Sequence, residues 1–363
     1  MSSDDSVGIY TDTDTCLFHF NNLNLNKTNF LIYNSELDKF LDSKNINNFA
    51  LFHVPFFHES TWLERLDAVY SISKKVFVFC SELHKHTVEQ LISLDKPNIS
   101  IFICGFINHK FQYAKIYNWM DWFTTTTDFY KDVKPDLLQF KLLNHPKSKS
   151  FDILLGCERT HRNYVYNFIN QNNLNDKVIM TYYRRWNVDL RETEHIFESE
   201  GLEFLPESKY THSVHHVLYY GRKTNLSQVI PFIIYNDSYY SLVAETNAEN
   251  QWNFYTEKIV KPILGRRLFV VIAGQGYLRN LRKLGFKTFA NVIDESYDDE
   301  PDNLKRWTMA LNQVKILTDQ NAEWIQSSVA EIVDHNQNHM LSHNWYADMV
   351  NQLIENIVRT IAD

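Results

Sequence analysis

Two short stretches of this chain carry side chains suited to holding a diphosphate and a sugar. The first lies within Ser241 to Phe289, SLVAETNAENQWNFYTEKIVKPILGRRLFVVIAGQGYLRNLRKLGFKTF. An apolar run ends in Glu245, a polar loop follows, and Thr256, Glu257 and Lys258 open a predicted helix. Thr256 suits an N-cap, and Glu257 suits the positive end of a helix dipole. A triplet of this kind also serves as an ordinary helix start. Lys258 is harder to explain that way, because a cation in the first turn opposes the dipole. A bound anion would account for it. A second apolar run, Leu268 to Ile272, leads into a turn containing Gly274 and Gly276, which either approaches a ligand or simply joins strand to helix.

The second stretch is GCERTHRNYVY, Gly156 to Tyr166. It follows an apolar run and leads into a predicted helix whose free N–H groups favour a phosphate. Arg159 and Arg162 are three residues apart, so both reach the first turn, where a guanidinium fork pairs well with phosphate oxygens. A capped surface helix with ordinary ion pairs is the plain alternative. The stretch is neither the GxGxxG dinucleotide fingerprint nor a GxxxxGK[ST] loop.

The elements that must position these residues alternate. Val7–Tyr10, Phe30–Tyr33, Ala50–Val54, Val76–Phe79 and Ile99–Ile103 read as buried strands, and Leu37–Leu41, Trp62–Ser73 and Ser81–Leu94 as helices. Pro135 to Lys149 carries two prolines and several lysines with little periodicity, and reads as a linker. The alternation then restarts with strands at Phe151–Gly156, Val178–Tyr183, Tyr239–Ala244 and Leu268–Ile272. Helices follow at Arg162–Asn170 and Trp307–Leu317, with an amphipathic tail over Ala322–Ile361. The expected fold is α/β, with two Rossmann-like domains facing a cleft over 1–145 and 150–318, and C-terminal helices over 319–363 that cross back.

Composition narrows the function. The 363 residues are 44% hydrophobic and 15% aromatic, enough for two sizeable cores. No run approaches the roughly 18 apolar residues of a membrane span. The acidic start MSSDDSVGIY lacks the pattern of a secretory signal, and the four scattered cysteines form no CxxC pair. A cytoplasmic protein is expected. The net charge of −8 disfavours a polyanion partner, although Arg184-Arg185, Arg266-Arg267 and Arg279–Lys287 leave nucleic acid open.

The two stretches together resemble the donor domain of the α-1,3-fucosyltransferase family. Those enzymes carry an Arg-Asn pair opening a helix, matched here by Arg162-Asn163. They then show a strand ending in Phe-Glu-Asn, where Glu245 matches the acid and Thr246 replaces the Asn. Finally they show Tyr-Val-Thr-Glu-Lys, matched in its last three residues by Thr256, Glu257 and Lys258 behind Tyr255. Lys261 to Phe289 is similar to virus-encoded relatives rather than to the well-studied enzymes, and the first 145 residues carry no matching motif. The resemblance implies a GT-B fold, a nucleotide-sugar donor (a GDP-sugar being favoured), inversion at the anomeric carbon, and no cofactor or essential metal. It implies that Arg162 and Lys258 bind the diphosphate while Glu257 and Glu245 bind ribose or sugar hydroxyls. The same resemblance implies fucose or another hexose as the sugar and a carbohydrate as the acceptor.

Inverting transfer needs a base for the acceptor hydroxyl. It is expected from the N-terminal domain, where Glu59 in HVPFFHES and Asp121 in YNWMDWF lead the candidates, because aromatic neighbours can stack on a sugar and raise a carboxyl pKa. His53, His58 and Glu82 follow. Metal-dependent transfer would use closely spaced aspartates. The nearest are Asp12 and Asp14 after the first strand, and Asp298-Asp299 in an acidic loop expected to be solvated. Two other readings stay open: a nucleotide-sugar or carbohydrate-binding protein without catalysis, and a glycosyltransferase acting on modified DNA bases.

Overall fold

The structure is a computed structural model that describes residues 7–12, 30–43, 48–53, 61–80, 85–133, 136–182, 202–205, 216–249 and 252–362. The chain divides into two compact units. One comprises Met1–Asp121 together with Asn344–Asp363, and the other Trp122–His343.

In the first unit the strands are β1 (Val7–Thr11), β2 (Phe30–Asn34), β3 (Phe49–His53), β4 (Lys75–Cys80), β5 (Ile99–Ile103), a three-residue β6 (Gly105–Ile107) and β7 (Lys115–Asn118). Six of them form a parallel sheet in the order β2-β1-β3-β4-β5-β7. Runs such as VFVFC and ISIFI are buried on both faces, as a helix-covered parallel sheet requires. Helices α1 (Leu37–Asp42), α2 (Thr61–Tyr70) and α3 (Lys85–Ser93) connect the strands.

One core of this unit is largely aromatic: Phe49, Phe77, Phe79, Phe102 and Trp119 pack with Ile9 and Leu51. Phe79 and Phe102 stack at 5.1 Å, and Trp119 meets both rings edge-on. The same core takes Met349 and Leu353 from the last helix of the chain. The tail therefore belongs to the first unit, and Tyr117 anchors it by donating to Asn356 Oδ1 at 2.7 Å. Burying each such side chain contributes about 1.5–3 kcal/mol.

The second unit is built on β8 (Lys149–Leu155), β9 (Val178–Tyr182), β13 (Ser238–Ala244) and β15 (Phe269–Ile272), all parallel, in the order β15-β13-β8-β9. A separate antiparallel sheet of β10 (Leu202–Phe204), β11 (His216–Tyr219) and β12 (Arg222–Asn225) interrupts the alternation, and β14 (Trp252–Phe254) is a short strand beyond β13. The helices are α4 (Asp121–Asp128), α5 (Asp136–Lys141), α6 (Thr160–Gln171), α7 (Phe232–Asp237), α8 (Glu257–Leu264), α9 (Tyr277–Lys283), α10 (Asn303–Thr318) and α11 (Ala322–Ser342). The tail helix of the first unit is α12 (Trp345–Ala362).

Arg267 locks the start of β13. It is 4% exposed, donates to the carbonyls of Tyr235, Ser238 and Tyr240 and to the hydroxyls of Ser238 and Ser241, and stands 3.6 Å from Asp152. It is a buried cation with its hydrogen bonds and its counter-charge in place.

Both sheets share one topology. The first strand of each unit lies between the second and the third, so the chain leaves it in opposite directions. Ligands of such sheets bind beyond the carboxyl ends of the strands at this switch point. In the second unit that point lies between β8 and β13.

Candidate functional site

Beyond the ends of β8 and β13 the two sequence stretches meet. β8 runs out at Leu155, and Gly156 leads to α6. The Arg162 guanidinium folds back over this turn, where a Cβ on Gly156 would stand 3.4 Å from Nη1, an ordinary contact. Arg162 is 4% exposed and donates from Nη1 to the Cys157 carbonyl at 2.9 Å. Among the described residues its Nε has no hydrogen-bond partner and no carboxylate lies within ion-pair distance, although Glu245 and Glu257 pull its pKa upward from farther off. Burial, then Arg159, pulls its pKa down from 12.5 to about 10. This is the reverse of Arg267.

β13 ends at Ala244, which delivers Glu245 into the interior. One carboxylate oxygen of Glu245 accepts from the Tyr277 hydroxyl at 2.9 Å. The other accepts from Thr256 Oγ1 at 3.0 Å and from the Thr246 amide at 3.1 Å. Burial raises its pKa against the pull of Lys258. His161, on the first turn of α6, bonds through Nε2 to the Glu245 carbonyl at 2.8 Å. A carbonyl only accepts, so Nε2 carries the proton. Burial and the charges of Arg162, Arg159 and Lys258 hold this ring neutral, well below its usual pKa. Three cations from two separate stretches thus act on one imidazole.

Thr256 caps α8, its hydroxyl accepting from the Lys258 amide at 3.2 Å. Glu257 is buried. Burial would raise its pKa, but Lys258 and Lys261 outweigh that, and it is held ionised below the usual range. Lys258 Nζ donates to Glu257 Oε1 at 2.8 Å and to Thr246 Oγ1 at 3.2 Å, with a quarter of its side chain exposed. Asn163 turns away from this cluster: its amide donates to Glu158 and its carbonyl accepts from the Tyr182 hydroxyl. Arg159 occupies the N-cap of α6.

The site also uses residues that sequence spacing did not single out. Asn247 is buried, and among the described residues its side-chain nitrogen has no hydrogen-bond partner, two residues after Glu245. Arg306 and Trp307 of α10 both donate to the Ala248 carbonyl, at 2.9 and 3.0 Å, and hold the loop after β13. Tyr277 stacks on Tyr255 at 4.4 Å while it holds Glu245. Gly274, which the sequence did single out, packs against the Glu249 and Trp252 carbonyls: a Cβ there would collide with the Trp252 carbonyl and stand 2.5 Å from that of Glu249.

The acidic loop differs from expectation. Asp298 is 3% exposed, not solvated, and its carboxylate accepts from the amides of Leu278 and Arg279. It caps α9, whose unpaired N–H groups draw it inward, while Asp299 stays outside. Asp12 is likewise engaged, by both guanidinium arms of Arg65 at 2.6 and 3.0 Å and by the Tyr10 hydroxyl. No group of three or more metal-ligating side chains occurs among the described residues.

Of the base candidates, Glu59 lies outside the described residues, as do Glu82 and His58. Asp121 begins α4 and is half-buried, and burial raises its pKa from 3.8 to about 7. His53 closes β3, and burial lowers its pKa.

Two parallel α/β units, with the C-terminal helix returned to the first, match a GT-B-like fold of two Rossmann-like domains. Among the described residues no helix is long and apolar enough to cross a membrane. Compared with models of known protein families and with curated proteins, the sequence gives no match.

Proposed function

We propose that this protein is an inverting, metal-independent glycosyltransferase whose second unit takes a nucleotide-sugar. One observation carries the reading. Arg162 is a buried guanidinium that no carboxylate among the described residues approaches to ion-pair distance, at the switch point of a parallel sheet, with Glu245 and Glu257 acting on it only from farther off. A buried unpaired charge is costly, and a ligand phosphate would relieve that cost. Lys258 at the start of α8 and Arg159 at the start of α6 add to the same field.

In this reading Arg162 and Lys258 hold the diphosphate and stabilise the charge that grows on it as the glycosidic bond breaks. Glu257 and Glu245 receive ribose or sugar hydroxyls. Tyr277 and Thr256 orient Glu245, and neutral His161 fixes the backbone that presents it. The acceptor hydroxyl must lose its proton to a base, and Asp121, whose pKa burial raises to about 7, is the candidate. GDP-sugars, GDP-fucose among them, are the donors to try first, with a carbohydrate as acceptor.

The test is a thermal-shift screen of GDP-, UDP-, CMP- and dTDP-sugars, followed by calorimetry on Lys258→Ala. One nucleotide-sugar should stabilise the protein, and the variant should bind it about 10- to 100-fold more weakly. Slow donor hydrolysis without an acceptor separates an enzyme from a binding protein. Turnover should survive EDTA. If no nucleotide-sugar stabilises the protein, or the variant binds as well as the wild type, the reading fails.

A further inference from the structure

The buried end of α8 contains a lysine. Ile259, Val260, Pro262, Ile263 and Leu264 are all buried, and Lys261 lies among them at 8% exposure. Lysine is almost never so deep unless it is paired. Lys261 Nζ donates to the Ser227 carbonyl at 2.7 Å, and among the described residues no carboxylate lies within ion-pair distance of it. An apolar side chain of similar volume would fill this position at lower cost, so the charge calls for a reason.

Carboxylates act on Lys261 from farther off. Burial is the largest influence and pulls its pKa down to about 8, leaving it mostly charged at neutral pH. Against burial, Glu257, one turn earlier on the same helix, pulls the pKa up, as do Asp152 of β8 and Glu245 beyond β13, while Lys258 lowers it. The helix α11 also packs on α8, with Gln337 donating to the Leu264 carbonyl at 2.6 Å. The titratable groups of that stretch of α11 are engaged elsewhere: Asp334 with Arg266, and His335 and His339 with the Gly285 and Leu284 carbonyls. The short turn Leu226–Gln228, which supplies the Ser227 carbonyl, has no titratable side chain.

Glu257 accounts for the position. It is 5% exposed, and burial would raise its pKa, but Lys258 and then Lys261 outweigh burial and keep it ionised. The two lysines differ in kind. Lys258 Nζ contacts Glu257 Oε1 at 2.8 Å with a quarter of its side chain exposed, whereas Lys261 is buried and acts at longer range. A ligand diphosphate that draws Lys258 toward itself takes from Glu257 its closest cation. A second cation inside the helix packing stays where it is. We propose that Lys261 is a positioning residue, the fixed counter-charge of Glu257 that frees Lys258 to engage an anionic ligand. The identity of that ligand rests on the nucleotide-sugar reading, whereas the link between Lys261 and Glu257 does not.

The first experiment follows the Glu257 carboxyl by an NMR pH titration of the full chain carrying isotope-labelled glutamate, its signal identified by its loss in Glu257→Gln. In Lys258→Ala this carboxyl should titrate no higher than the usual carboxylate range, because Lys261 remains. In Lys258→Ala combined with Lys261→Met it should titrate above that range, as an uncompensated buried carboxyl does. The second experiment is calorimetry with GDP. At neutral pH Lys261→Met should bind GDP about tenfold more weakly than the wild type. Wild-type affinity should fall as pH rises through about 8, where Lys261 loses its proton, and the variant should lack that fall. Lys261→Gln keeps an N–H donor for the Ser227 carbonyl but carries no charge, and it should match Lys261→Met in both assays. Equal titration of Glu257 with and without Lys261, a tenfold loss confined to Lys261→Met, or an unchanged alkaline fall in both variants would each overturn the proposal. If GDP binds no form of the protein, the nucleotide-sugar reading fails separately, and the carboxyl titration still decides whether Lys261 compensates Glu257.

Discussion

Arg162→Met separates a residue kept for a ligand from one kept for the fold. In the free protein the Arg162 charge is a liability. The fall of its pKa from 12.5 to about 10 corresponds to about 3 kcal/mol against the charged form, since each pKa unit is about 1.4 kcal/mol. The sign is that of a base depressed on folding: the unfolded chain holds the proton more tightly, so the folded state is weakened at every pH below about 10. Methionine preserves much of the apolar stem and removes the charge. The hydrogen bond to the Cys157 carbonyl is lost, at about 1 kcal/mol. The unliganded variant should therefore be as stable as the wild type, or more stable by up to about 2 kcal/mol. With the donor nucleotide the order should reverse. A charge-assisted contact contributes about 1.5–3 kcal/mol, so affinity should fall roughly 10- to 150-fold. Urea unfolding with and without GDP measures both effects on one sample, and calorimetry gives the affinity directly. A variant destabilised by more than about 2 kcal/mol without ligand, yet binding GDP as tightly as before, would show that Arg162 is a structural cation and would refute the argument.

Three further outcomes are expected. Asp121 has a folded pKa raised to about 7 from 3.8, so its contribution to stability is present at acid pH and is lost as pH rises through about 4 to 7. Asp121→Asn should flatten the stability profile over that window and be the more stable protein above it, as denaturation at a series of pH values would record. Leu353→Ala, at a fully buried position of α12, should cost about 2–5 kcal/mol in denaturant unfolding, whereas a tail that merely rests on the surface would cost almost nothing. Gly274→Ala places a methyl group against the Glu249 and Trp252 carbonyls. It should destabilise the protein by about 1–3 kcal/mol and weaken nucleotide binding by displacing Glu249 and Trp252, and an unchanged melting curve and affinity would contradict this.

Much of the fold was legible in local pattern. Apolar runs of parallel-sheet length alternate with helical periodicity, so two α/β units followed from residue order alone, as did the capping of α8 by Thr256. The convergence of Gly156–Arg162 with Glu245–Lys258 was inferable, because strand ends at a switch point meet wherever the chain reverses. Other features were not written locally. The antiparallel strands between Leu202 and Asn225 are three or four residues each, too short to show a period, and β7 is no longer. Asp298 lies in a stretch whose composition reads as solvated, yet the open N–H groups of α9 draw it in. Arg162 and Arg267 show the limit most clearly. Each is an arginine beside an element of the same sheet, and although the sequence marked Arg162 as a phosphate candidate, nothing local shows which of the two finds a counter-charge inside the protein. Arg267 meets Asp152 and five hydrogen-bond acceptors, while Arg162 is buried with no carboxylate at ion-pair distance among the described residues. Residue type and spacing determine which charges the chain carries and which elements they begin. Whether a charge finds its partner inside the protein or is left for a ligand depends on contacts between residues far apart in the chain, and only the tertiary structure sets those.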